Sequence, residues 1–288
     1  MLLQLVINGF ISGLLYSLVA MGFALVYNTT KIFHLAAAGL YVVAAYAFYA
    51  FVSLLHFPIL PGAIMAIAVT MGVSLLTEVA VYRPLSKKRS PHASLIASVG
   101  MLTILVNFTV LLYGNAPKVV DNTLKKTYQL GNILVSQPQA WQAGLSLVAI
   151  VLFMLFIHVS SWGKKFRALS DDEALFSILG YSRAVTRNVA FLFSGALIAL
   201  SSCLNVYEVG MDANMGMNIL INSMAAMIIG GIGRFDACVV GGVMLGLIQS
   251  LSLLRLPSSW QSGVTFLLLI VFLFLRPQGF FGYKQRTV

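Results

Sequence analysis

The residues best placed to do chemistry are a run of carboxylates in Ser170-Asp171-Asp172-Glu173 and a file of amides at Asn214, Asn218 and Asn222. The chain has only 8 acidic residues, and three of them stand side by side in the first stretch. Ser-x-x-Glu is the pattern of a capping box, in which serine and glutamate each satisfy the other's backbone amide. Carboxylates in a first turn also complement the positive end of the helix dipole. Gly180 suits the left-handed residue that ends a helix. These signals predict a helix of about ten residues, about 15 Å long, with Ala174, Leu175, Ile178 and Leu179 on one face. A helix that short is unstable alone in water, so its apolar face must rest on the protein's own loops or on a partner.

The amide file recurs every four residues, which makes one polar stripe on a helix. Such a stripe suits an aqueous pathway or a zwitterionic solute. His34, at the edge of an apolar run, is a candidate for the same pathway; a hydrogen-bonded structural role is the alternative. His56, His92 and His158 are scattered, and Cys203 and Cys238 lack ligand spacing, so no metal site is expected. No G-x-x-x-x-G-K-[ST] occurs, so the chain has no phosphate cradle of its own. Glu78 stands five residues before Arg83, off the i,i+4 spacing, and its partner is expected on another segment.

The elements that must position these residues follow from composition. The chain is 59% hydrophobic and 9% charged, against about 25% charged in soluble domains. It reads as an all-α integral membrane protein, one permeating domain over residues 1–288. Apolar segments near spanning length fall at about 4–27, 33–55, 61–82, 93–113, 141–162, 189–207, 217–233, 237–254 and 261–275. That makes nine transmembrane segments, or eight if one is re-entrant. The first segment lacks a basic n-region and reads as a retained span. The net charge of +10 comes from short loops, which argues for membrane topology and against nucleic acid. Placing "RPLSKKR", "GKKFR", Arg183, Arg187 and the tail in the cytoplasm puts 14 basic residues inside and 4 outside. The N-terminus then lies outside and the C-terminus inside. The loop 163–188 is cytoplasmic, and the loop 114–140 is external and expected to be irregular. Polar interruptions at 28–41 and 209–224 lie near opposite membrane faces, as in an inverted repeat with interrupted helices.

The stretch "GKKFRALSDDEALFSILGYSRAVTRNVAFLFSGALIAL" resembles the cytoplasmic loop and following span of branched-chain amino acid ABC importer permeases of the LivH/LivM type. The blocks "GLLYSLVAMGFALVY", "EVAVYRPL", "LIASVGM", "MIIGGIGRFDACVVGGVMLGLIQSL" and "RPQGFFG" agree in the same order, over nearly the whole chain. The resemblance implies a transport subunit, not an enzyme, in a bacterial inner membrane. It implies a homologous second permease, two ATPase subunits and an extracytoplasmic binding protein as partners, besides the bilayer. ATP and magnesium would be bound by the ATPases and no cofactor by this chain. Arg167, Ser170, Asp171, Asp172, Glu173, Leu175, Ile178 and Gly180 would form the coupling element that docks on an ATPase. The chain departs from the family at His34, where asparagine is usual, at Ala37, where histidine is usual, and at Asn222, where lysine is frequent. These departures leave urea, amides or other amino acids open as substrates beside branched-chain amino acids. A stand-alone carrier or channel is the rival of another class, though few carboxylates lie within spans. A membrane enzyme would need a convergent acid, base or metal cluster, and none is found in the sequence.

Overall fold

The computed structural model describes residues 2–86, 91–120, 126–130, 133–231, 233–276 and 279–281. Lys87, Lys88, Arg89, Lys125, Pro277, Lys284 and Arg286 lie outside the described residues. The helices are α1 (Leu2–Thr30), α2 (Ala36–Tyr49), α3 (Ile59–Thr77), α4 (Arg83–Ser86), α5 (Pro91–Tyr113), α6 (Gln137–Val159), α7 (Ser161–Asp171), α8 (Glu173–Ile178), α9 (Arg183–Val209), α10 (Met215–Gly230), α11 (Phe235–Ser252) and α12 (Gln261–Leu275). Helix α2 continues into a π-helical turn at Ala50–Leu54, and α3 into another at Glu78–Tyr82. Among the described residues, eight helical stretches are long and apolar enough to cross a membrane; the ninth expected segment is α10, of 16 residues. The protein is a multi-pass membrane protein.

The loop after α5 is more regular than expected. It contains an antiparallel hairpin, β1 (Thr127–Leu130) with β2 (Ile133–Ser136), pairing Thr127 with Ser136 and Leu130 with Ile133. Gln4 at the start of α1 bonds Leu134 in both directions, at 2.8 and 2.9 Å. This hairpin marks one end of the bundle. The other end gathers most basic residues, including Lys31, Arg83, Arg167, Arg183 and Arg187, and is called here the basic end.

Two long helices each stop and give way to a shorter one. Helix α1 ends at Lys31, which takes φ 56° and donates its amide to Tyr27 O at 2.7 Å. Helix α9 ends at Gly210, with φ 87° and an amide bond to Val206 O at 3.0 Å. Both terminations place a residue at positive φ. The first break joins the basic end through Lys31 Nζ, which donates to Ser170 Oγ at 3.2 Å. The second joins the opposite end, where Met211 and Lys118 exchange backbone bonds at 2.8 and 3.0 Å. The packing repeats with the same inversion: α1 packs on α9, α10 and α11, while α9 packs on α1, α2 and α3. The short helices α2 and α10 meet near their starts, where Gly216 lies against Ala38 O.

No hydrophobic drive pulls helices together in lipid, so small residues and hydroxyls must do it. Gly9 and Gly13 on α1 face Gly242 and Gly246 on α11. A Cβ on Gly13 would stand 2.7 Å from Val243 Cα, and one on Gly9 would stand 2.8 Å from Gly246 O. Ser201 donates to Leu15 O at 3.1 Å, Ser202 to Tyr41 O at 2.7 Å, and Ser74 to Phe191 O at 2.7 Å. Each of these bonds joins one helix of a repeat to the other helices it crosses.

Alanine at Gly246 tests this packing, because its Cβ would collide with the backbone of Gly9 and Gly13. Gly246→Ala should destabilise the protein by about 1–3 kcal/mol, the usual cost of overpacking. Gly100→Ala, with nothing within 4 Å of the added carbon, should be tolerated. Melting of both variants in detergent, followed by size-exclusion chromatography, checks the pair.

Candidate functional site

Helix α7 begins at Ser160, whose hydroxyl accepts from Trp162 N at 3.1 Å. Its buried face is Gly163, Phe166 and Leu169, which seats it on α1 and α6. That apolar periodicity carries the helix through Ser170 to Asp171. Ser170 is therefore in the last turn of α7 and is not a helix cap, contrary to the expected capping box. Asp172 is the cap: it is extended (φ −148°, ψ 107°) and its carboxylate accepts from Ala174 N at 2.8 Å and Leu175 N at 3.0 Å. An aspartate competes well for free first-turn amides because its carboxylate reaches them directly. The helix is thus six residues, Glu173–Ile178, and not ten.

Gly180 closes α8 with φ 82°. Its amide bonds Ser177 O at 3.0 Å, and Tyr181 N bonds Phe176 O at 3.4 Å. These two bonds form a Schellman motif. Phe176, which the sequence reading left aside, is the buried anchor, stacked on Tyr181 with centroids 5.3 Å apart. On the other side Leu175 is 53%, Ile178 81% and Leu179 63% exposed. A contiguous apolar patch held outward in this way marks a surface for interaction. Arg167, on α7, is turned back to donate to Ile157 O at 3.3 Å. Lys31 faces this loop; partial burial lowers its pKa, and the nearby Asp171 charge opposes that shift. A cavity of about 520 Å³ separates the first break from α7 and α8, lined in part by Asn28, Lys31, Ser94, Ser170 and Asp171.

Glu78 finds its partner on another segment, as expected. It is 0% exposed and paired with Arg187 at the start of α9, through Nε–Oε1 at 2.8 Å and Nη2–Oε2 at 3.1 Å. Arg187 also donates to Ser86 Oγ at 3.1 Å, and Arg83 donates to Asn188. Sequence reasoning had seen Arg187 only as a topology marker; nothing in its spacing pointed to α3. Arg183, one turn earlier, donates to Glu173 Oε1 at 2.9 Å and to Ser177 Oγ.

His34 is 0% exposed. Its Nδ1 lies 2.9 Å from Tyr82 Oη, and Tyr82 donates to Ser98 Oγ at 2.8 Å. Ser98 Oγ in turn accepts from Ala36 N, at 3.1 Å. Phe191 packs on the imidazole with centroids 5.3 Å apart. His34 therefore sits in a cluster joining the first break to α3, α5 and α9, and its partners include none of the three asparagines.

The asparagine stripe divides in two. Asn222 accepts from Thr265 Oγ1 at 2.9 Å and Gln249 Nε2 at 3.1 Å, which ties α10 to α11 and α12. Asn214 and Asn218 are exposed. Asn214 lines a groove of about 220 Å³ with Thr103 and Asn107 of α5. Asn107 donates to Thr103 O of its own helix, at 2.8 Å, and is exposed. Exposed amides at this depth call for protein or water, not lipid.

A sequence profile described as "Branched-chain amino acid transport system / permease component" matches residues 5–273. The chain is similar to the high-affinity branched-chain amino acid transport system permease protein LivH of Escherichia coli, 25% identical over 98% of this chain and 96% of that protein. It is 26% identical to the corresponding permease protein BraD of Pseudomonas aeruginosa, over 98% and 96% of the two chains. Among solved structures it resembles "PsaBC from Streptococcus pneumoniae in complex with Fab", with a TM-score of 0.53 at 12% identity, over 94% of this chain and 91% of that one. That likeness shows the fold.

Asp172→Ala should destabilise α8 locally by about 1 kcal/mol, whereas Asp172→Asn should retain most of the cap. Amide hydrogen exchange across residues 173–180 measures the difference, and Ser170→Ala should leave those amides unchanged.

Proposed function

The chain belongs to the family of branched-chain amino acid transport system permease components, and from that premise we propose that it is the membrane-spanning subunit of a binding-protein-dependent ABC importer. It moves branched-chain or related amino acids inward across a bacterial inner membrane. ATP and magnesium act on partner ATPase subunits. The observation that carries this reading is the apolar knob of Leu175, Ile178 and Leu179, held rigid by Asp172, Phe176 and Gly180 at the basic end. The positive-inside rule puts that end in the cytoplasm, with the N-terminus outside and the C-terminus inside. A short amphipathic helix presenting spaced apolar anchors fits a groove on a soluble partner. Two ATPases, one per permease, would take two such helices.

The exposed polar face of Thr103, Asn107, Asn214 and Asn218 supports a second, homologous permease packed against α5 and α10, with the solute path between them. An extracytoplasmic binding protein then delivers solute at the hairpin end. Neutral amides pair with either end of a zwitterion and also with an amide group, so the same face supports a second substrate reading, urea or a small amide. An ion-coupled stand-alone carrier is less well supported, because the span carboxylate Glu78 is held by Arg187.

Reconstituted with its ATPases, second permease and binding protein, the chain should take up radiolabelled leucine, isoleucine or valine only with ATP inside the vesicles. Competition by urea and amides separates the two substrate readings. Uptake by the chain alone would refute the importer reading. Ile178→Asp should weaken ATPase docking by about 2 kcal/mol or more, roughly thirtyfold, as for other central apolar anchors; co-purification of the ATPase measures it.

A further inference from the structure

One turn of α9 is tied to two different elements at once. Arg183, its first residue, holds the far side of α8 through Glu173 Oε1 at 2.9 Å and through Ser177 Oγ. Glu173 and Ser177 are themselves one turn apart, so Arg183 grips a single edge of α8. Arg187, one turn later, pairs with Glu78, its Nε 2.8 Å from Oε1 and its Nη2 donating to Oε2, and donates to Ser86 as well. Next to it, Asn188 accepts from Arg83. The three residues that receive or give these bonds, Glu78, Arg83 and Ser86, lie in the π-helical turn that ends α3 and in α4. Tyr82, in the same turn, carries the contact on to His34 in the first break and to Ser98 of α5.

From this continuity we infer that Arg183 and Arg187 form a relay that passes displacement of α8 into the basic end of α3 and, through Tyr82, into the first helix break. The inference rests on the importer reading above and adds the route by which docking at α8 reaches the membrane. Its two links differ in kind. The Arg187–Glu78 link is a buried ion pair, 11% and 0% exposed, with one hydrogen bond from Nη2 to Oε2, so little water screens it. The Arg183–Glu173 link is exposed and weak while α8 is bare. The cavity beside α7 and α8 supplies the room into which the loop moves. Arg183 and Arg187 are positioning residues: neither needs to touch the solute.

Links in series and independent supports are separated by a double-mutant cycle. The readout is solute moved per ATP hydrolysed by the reconstituted importer, with the amount of assembled complex measured alongside. Arg183→Ala and Glu78→Gln should each lower that ratio about tenfold, within the range by which network residues alter coupling, while hydrolysis and assembly persist. The double variant should be no worse than the worse single one. Arg187→Lys should recover part of what Arg187→Met loses. Should Glu78→Gln fail to assemble, Glu78→Asp takes its place, and Arg183→Ala, at an exposed site, still reports. An unchanged ratio in Arg183→Ala overturns the relay. So does a double variant whose losses multiply, or uptake and hydrolysis that fall together with the amount of complex. Failure of the wild-type complex to transport sinks the importer reading itself, and the relay with it.

Discussion

A backbone amide at membrane depth has no water to bond, so a helix can stop there only where other parts of the protein supply the missing partner. This chain stops twice, and each stop is paid for by neighbours. At the first break, the amide of Ala36 is met by Ser98 Oγ, which is itself held by Tyr82 and, through it, His34. At the second, Met211 is bridged to Lys118 of the loop that carries the hairpin. The breaks are therefore not loose points. They are the places where several helices must agree.

The same absence of water shapes how the long helices meet. Close approach of α1 and α11 through glycines, and hydroxyl bonds from α9 to α1 and α2, replace the hydrophobic drive of a soluble core. Outside the bundle, α8 is a single turn and a half, capped at both ends, anchored by one buried aromatic and apolar on the outside. Arg183 joins α8 to the start of α9, and Arg187 joins that same turn to the end of α3.

Polarity on the lateral surface carries a second message. Most residues that α5 and α12 expose are apolar, as lipid requires. The exposed amides of Asn107, Asn214 and Asn218 break that pattern on one side. A surface of that composition is stable at membrane depth when a second polypeptide or a water-filled path lies against it.

Much of this was legible in the sequence. The apolar runs locate the eight long helices and the shorter α10, because spanning length is a local property. The two polar interruptions were visible for the same reason, as was a shared face for Leu175 and Ile178; that this face points outward was not. The details that decide how the parts act on one another were not. Whether Ser170 or Asp172 caps α8 depended on how far the Phe166 and Leu169 stripe, docked on α1 and α6, carries α7. Whether Asn222 faces a path or a neighbour depended on Gln249 and Thr265 arriving from other helices. That Glu78 meets Arg187 depended on how α3 crosses α9. Periodicity along one helix reports which residues share a face; only the packing of one helix on another decides what that face meets.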